Sequence, residues 1–187
     1  LVVDASGSRE FGSVNRIKWE MAAEVSALLA FSAIKNNDRV GLLQFSDRIE
    51  KHVPARKGRK HVLRVIRELL YAAPESRGTD IAGALDYAMK VFSRRSVMFL
   101  ISDFLSEGYE RAVRRAAKRH DLVAIVTGDP REETLPRVGL LEISDAETGE
   151  SVVIDTSDPR LQKEFKARAG ARRENRKRFF RSSGIDF

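Results

Sequence analysis

Apolar and polar positions alternate along the chain in two periods. "LVVD" at the start is a short apolar run that stops in turn-prone residues, the pattern of a buried strand. From Arg16 to Ala33, apolar residues at Ile17, Met21, Val25, Leu28 and Leu29 fall on one broad stripe, which predicts a helix. "NND" breaks it, "RVGLLQFS" predicts a second strand, and "IEKHVPA" a weaker third. Helical spacing returns in "KHVLRVIRELL" through Val62, Leu63, Ile66, Leu69 and Leu70. It returns again in "IAGALDYAMKVF", after a Pro- and Gly-containing stretch in which Thr79 or Asp80 can cap the helix. "SVMFLISDF" is apolar almost throughout, as expected of a strand covered on both faces. A helix in "YERAVRRAAKRH", a strand in "LVAIVTG" and two short strands in "LLEIS" and "SVVID" follow, the last two flanking a Gly-containing hairpin loop. From Asp158 onward the pattern is a charged helix interrupted at Gly170.

Strands alternating with helices predict an α/β fold: a central, mostly parallel sheet with helices on both faces. "LVVD" and "SVMFLISDF" are expected to be adjacent parallel strands at its centre. In such a sheet, ligands bind beyond the carboxyl ends of the strands, where the winding reverses. Three predicted segments place oxygen-bearing side chains at that edge: Asp4, Ser6 and Ser8 after the first strand, Thr79 and Asp80 before a helix, and Ser102 and Asp103 after the apolar strand. Carboxylates and hydroxyls are hard ligands, suited to Mg²⁺, Mn²⁺ or Ca²⁺. Two carboxylates balance a divalent ion, and such an ion accepts a further anionic oxygen from elsewhere. Asp80 reads better as a helix cap than as a ligand.

The residues that form these clusters carry a family resemblance. "DASGS", the "GTD" that contains Thr79, and "ISDF" resemble the three pieces of the metal-ion-dependent adhesion site of von Willebrand factor A (vWA) domains, in the same order. More narrowly, "VDASGS", "DRVGLLQFSD", "GTDIAGAL", "RRSVMFLISDF" and "ETGESVVIDT" are similar to a bacterial vWA-like family of unknown function often found beside MoxR-type AAA ATPases. The resemblance implies a Rossmann-like vWA fold and a metal site formed by Asp4, Ser6, Ser8, Thr79 and Asp103. It implies a binding module, not an enzyme: Mg²⁺, or Mn²⁺ or Ca²⁺, is completed by an acidic residue of a protein partner. The implied partner is a MoxR-type ATPase or one of its clients, in the assembly or maturation of a complex. Arg9 departs from the small apolar residue that many relatives carry there.

Composition narrows the alternatives. The chain has 187 residues, long enough for one domain with a full core, and residues 1–159 are expected to form it. It has no Cys, which excludes disulfides and thiolate chemistry and fits a reducing compartment. No apolar run approaches the ~18 residues of a membrane span, and no signal peptide is expected, since the first residues lack a basic stretch and a long apolar run. The cytoplasm is therefore expected, or the cytoplasmic face of the membrane if an anchor precedes Leu1. The net charge of +7 is uneven: residues 160–187 hold 10 basic and 3 acidic residues, against 24 and 24 before them. This basic tail is expected to be a helix docked on the same domain through Leu161 and Phe165, with its charges in water. A nucleic-acid-binding tail, with Phe179 and Phe180 stacking on bases, is the less favoured alternative. Ser8, Asp103 and His120 occur in the order of a hydrolase triad, yet no G-x-S-x-G elbow surrounds any Ser. Walker-type and G-x-G-x-x-G phosphate loops are missing.

Overall fold

The computed structural model describes residues 1–6, 12–71, 75–76, 78–128, 132–144 and 151–187, and for 12–17 and 143–144 the backbone alone. The chain divides into two compact units, Leu1–Thr127 with Ile185–Phe187, and Gly128–Gly184.

The first unit follows the predicted alternation: β1 (Val2–Asp4), α1 (Gly12–Lys35), β2 (Val40–Phe45), β3 (Ile49–Arg56), α2 (Arg59–Leu70), α3 (Ile81–Val91), β4 (Val97–Ser102), α4 (Glu110–Arg119) and β5 (Asp121–Val126). The sheet order is β3-β2-β1-β4-β5. β1 pairs in parallel with both β2 and β4, and β4 with β5, so the two apolar strands are adjacent and β1 is central. β3 is antiparallel to β2 and forms an edge. An edge strand tolerates the exposed Pro54, which has no amide to give to a neighbour.

Strand alternation divides the core into two layers. Val3, Leu42 and Ile101 point to one face and pack with Ala22, Ala23 and Ala30 of α1 and Val62, Val65 and Leu69 of α2. Val2, Leu43 and Leu100 point to the other, which α3 and α4 cover with Leu85, Ala88, Val113 and Ala116. All of these residues are at most 4% exposed, which is what the near-continuous apolar run of β4 requires of a strand buried on both sides. At the far edge Val123 bridges in parallel to Asp186, whose carbonyl accepts the Ala124 amide at 2.8 Å.

The second unit holds β6 (Leu140–Ser144) and β7 (Ser151–Asp155), an antiparallel hairpin as expected, with its loop outside the described residues, and α5 (Pro159–Ser182). Asp158 caps α5 by accepting the Arg160 amide, and Pro159 starts it, where a missing amide costs nothing. Gln162 Nε2 ties the helix to the carbonyls of Leu135 and Thr156, at 2.9 and 2.8 Å.

The expected break at Gly170 does not occur, because α5 runs unbroken through it for 24 residues. Glycine only lowers helix propensity, and neighbours that are strong helix formers, Ala169, Ala171 and Arg172, carry the helix across. The first helix also begins earlier than its apolar stripe, at Gly12.

Candidate metal centre at the carboxyl edge of the sheet

Between β1 and β4 the chain changes its direction of winding, since β2 lies on one side of β1 and β4 on the other. The pairing Val2 with Leu100, continued by two residues, sets Asp4 beside Ser102 at this point. The side chains meet there, with Ser102 Oγ donating to Asp4 Oδ2 at 2.6 Å. Ser6 donates twice to Asp4 Oδ1, from its amide at 3.0 Å and from Oγ at 2.6 Å. Thr79 Oγ1 in turn donates to Ser6 Oγ at 2.6 Å. A backbone bond from the Asp80 amide to the Ser46 carbonyl, 2.8 Å, pins the Thr79 loop to the end of β2. Residues 73 positions apart in the chain are thus joined by one directed series of hydroxyls that ends on a carboxylate.

The environment sets the charge state of Asp4. Burial raises its carboxyl above the ordinary value, the hydrogen bonds from Ser102 and Ser6 pull it back, and the nearby Asp103 carboxylate adds to the rise. Asp103 follows β4 directly. Its Oδ1 accepts the Leu105 amide at 3.0 Å and its Oδ2 accepts Lys18 Nζ at 3.1 Å. The next residue, Phe104, turns the chain with φ of 55°, a conformation that bulky side chains rarely adopt. It is held there by a hydrogen bond that its amide donates to Ser102 Oγ at 3.1 Å and by edge contact with Tyr109, ring centroids 5.5 Å apart. Strain of that kind persists where surroundings over-determine it, and here it lies beside the cluster.

Four of the five residues named from the sequence therefore lie at one edge: Asp4, Ser6 and Thr79 in one hydrogen-bonded group, and Asp103 close enough to perturb Asp4. Ser8 lies outside the described residues. Asp80 caps α3, accepting the Gly83 amide at 2.8 Å. Gly83 permits this approach, because a Cβ there would collide with the Asp80 carboxylate. Ser102, placed at this edge by the sequence but outside the implied ligand set, joins through the register of β4 with β1. Lys18 had no signal, because a lysine on a helix ordinarily reads as a solvated position.

The donors suit a hard cation. Asp4 is a partly buried carboxylate compensated by neutral dipoles, and a positive ion would offset its desolvation. The hydroxyl oxygens of Ser6 and Thr79 keep lone pairs beside it. Among the described residues no three His, Cys, Asp or Glu side chains form a ligating group, so a cation held here would have to draw on these hydroxyls as well.

His120 does not join Asp103. It is 1% exposed at the end of α4, with Nδ1 3.1 Å from Ser96 Oγ, at the opposite end of β4. Seven residues of extended chain from Ser96 to Asp103 separate them by roughly 20 Å, so no triad of Ser8, Asp103 and His120 can close.

Residues 1–175 match the family described as "Protein of unknown function DUF58". The chain belongs to this family. It is 37% identical over a 189-residue alignment to the uncharacterized protein Rv1480 of Mycobacterium tuberculosis, covering 98% of this chain and 59% of that protein. The same figures hold for the uncharacterized protein Mb1516 of Mycobacterium bovis, so the chain spans about 59% of the length of these relatives. Among solved structures, BatB from Bacteroides thetaiotaomicron shares the fold with a TM-score of 0.60 at 20% identity, over 91% of this chain and 84% of that one. An aerotolerance-related membrane protein from Bacteroides fragilis shares it with a TM-score of 0.58 at 17% identity, over 91% and 86%. The DUF58 chain thus has a Rossmann-like, vWA-like fold. Among its described residues no helix is long and apolar enough to cross a membrane.

Proposed function

We propose that this DUF58 chain is a divalent-metal-dependent protein-binding module, with its site at the carboxyl ends of β1 and β4. The observation that carries this is the directed hydroxyl series from Thr79 through Ser6 to Asp4, with Ser102 on the second oxygen of Asp4 and Asp103 alongside. A helix cap would need one oxygen facing backbone amides, as Asp80 has; here three hydroxyls and two carboxylates from three chain segments gather at one edge. Asp4, Ser6, Ser8, Thr79 and Asp103 are the residues that would hold Mg²⁺, with Mn²⁺ or Ca²⁺ as chemical equivalents. When bound, the ion supplies a fixed positive point on which a carboxylate of a protein partner can dock.

The chain's own residues do the rest. Asp4 provides charge in a partly buried place, Ser6 and Thr79 keep its oxygen aimed, and the Asp80–Ser46 backbone bond holds Thr79 in reach. Asp103 sits nearer solvent, 27% exposed, where an incoming protein can meet it. The resemblance to the family found beside MoxR-type AAA ATPases makes such an ATPase, or a client of it, the proposed partner. The proposed setting is the cytoplasm, or the cytoplasmic face of the membrane. The proposal is for recognition, with no turnover of a substrate.

Calorimetric titration of the chain with Mg²⁺ and Mn²⁺, with melting curves in EDTA and in millimolar metal, tests the site. A metal-linked heat and a raised melting temperature are expected; neither one appearing at millimolar metal refutes it. Capture of a MoxR-type ATPase by the immobilised chain in Mg²⁺, abolished by EDTA, is the corresponding test of the partner.

A further inference from the structure

Lys18 reaches the cluster from α1, and its Nζ stands 3.1 Å from Asp103 Oδ2. Both side chains are largely withdrawn from water, the lysine 14% exposed and the aspartate 27%. Water screens such a pair less than a surface pair. With Oδ1 on the Leu105 amide, both Asp103 oxygens are engaged, one of them by a full positive charge. Asp4 meets a different set, the neutral donors of Ser6 and Ser102. The two carboxylates are therefore unequal: one awaits charge and the other already has it.

Given the metal-binding reading of the cluster, on which this rests, we propose that Lys18 is a resident cation of the site. Its ammonium competes with a divalent ion for the Asp103 carboxylate, so loading of metal is coupled to release of Lys18 and the resting affinity is low. Asp4, Asp103 and Lys18 together sum to −1, so a divalent ion added to these three groups leaves them with a positive sum. At separations of a few Å and partial desolvation, repulsion between the two cations is well above thermal energy. A partner's carboxylate offsets the positive charge that the divalent ion adds to these three groups. Metal and partner then bind cooperatively, each raising the affinity for the other by the same factor.

Mg²⁺ titrations of the 187-residue chain are compared for wild type, Lys18→Met, Lys18→Arg, Asp103→Asn and the Lys18→Met/Asp103→Asn pair, with melting temperatures in EDTA and in Mg²⁺. Lys18→Met keeps the aliphatic stem, and it is expected to tighten Mg²⁺ binding by about tenfold or more while lowering the melting temperature in EDTA. Those opposite signs distinguish competition from a structural role, which would lower both. Lys18→Arg stays with wild type, and the gain from Lys18→Met disappears on the Asp103→Asn background. Should Lys18→Met fail to fold, Lys18→Gln is the neutral polar replacement. Unchanged or weaker Mg²⁺ binding in the neutral variant, with wild type binding the ion, overturns the role of Lys18 and leaves the metal site standing. Failure of wild type to bind Mg²⁺ or Mn²⁺ at millimolar concentration overturns the metal reading, and this inference with it.

Discussion

Asp4 accepts three hydrogen bonds, so replacing it tests charge only if its shape is kept. Asp4→Ala would take away the acceptor of the hydroxyl proton of Ser102, a buried residue, at a cost of about 1–3 kcal/mol that has nothing to do with metal. Asp4→Asn is the cleaner variant. It is expected to abolish the Mg²⁺-induced melting shift, Thr79→Ala to weaken it, and Asp80→Ala to leave it intact while lowering stability by about 0.5–2 kcal/mol through loss of the α3 cap. An Asp80→Ala variant that lost metal response as severely as Asp4→Asn would contradict the assignment of Asp80 as a cap. At the other end of β4, burial holds the His120 imidazole below its ordinary value of 6.5, with the Arg119 charge adding to the effect. Its Nε2 is buried with no hydrogen-bond partner among the described residues. The unfolded chain protonates this ring first, so its contribution is fully present above pH 6.5 and is lost as the pH falls from there through the lower folded value. Urea unfolding between pH 5 and 8 should show this slope in wild type and a shallower one in His120→Asn; equal slopes would remove His120 as its source.

At the scale of elements, α5 shows how far local preference bends to context. Gly170 is exposed, and a Cβ built there meets nothing within 4 Å. Gly170→Ala is therefore expected to stabilise the chain by about 0.5–1 kcal/mol, read as a higher urea midpoint at unchanged slope. A loss of stability would mean that the helix is not continuous there. The stripe expected on this helix is present in its burial: Leu161 and Phe165 are half-buried, and Ala169 and Phe180 are buried. Phe180 at 0% exposed cannot stack on a base, which removes half of the aromatic pair that the nucleic-acid alternative required. Lys163, Lys166, Arg168, Arg172 and Arg178 remain exposed along the same helix.

For the molecule as a whole, the order of stability should follow the sheet. β1 and β4 lie inside it with both faces covered, so amides of Val3 and of Leu100 to Ser102 are expected to exchange slowest with deuterium. β5 has one strand partner, β4, and a short cover from the residues around Asp186. Ending the chain at Gly184 removes the acceptor of the Ala124 amide, so that amide should exchange faster while Leu100 to Ser102 keep their order. Unaltered protection at Ala124 would show that the terminal bridge contributes nothing.

The strands and helices of the first unit were readable because their cause is local. An apolar run calls for cover on both faces, as Met98, Leu100 and Ile101 of β4 have, and a stripe at helical spacing has to face a layer. The oxygen clusters at strand ends were readable for the same reason, since a parallel sheet sends all its carboxyl ends to one edge. Tertiary structure decided what those clusters are made of. Ser102 enters because β4 pairs with β1 in one particular register, and Thr79 meets Ser6 because the Asp80 amide reaches the Ser46 carbonyl. His120 leaves because strand length puts it at the far end. Lys18 is the sharpest case: its residue type and helical setting are those of a solvated surface charge, and only the approach of α1 to the end of β4 makes it the partner of Asp103. Chain order records which residues can form an element, whereas the distance between two charges is a property of how the elements pack.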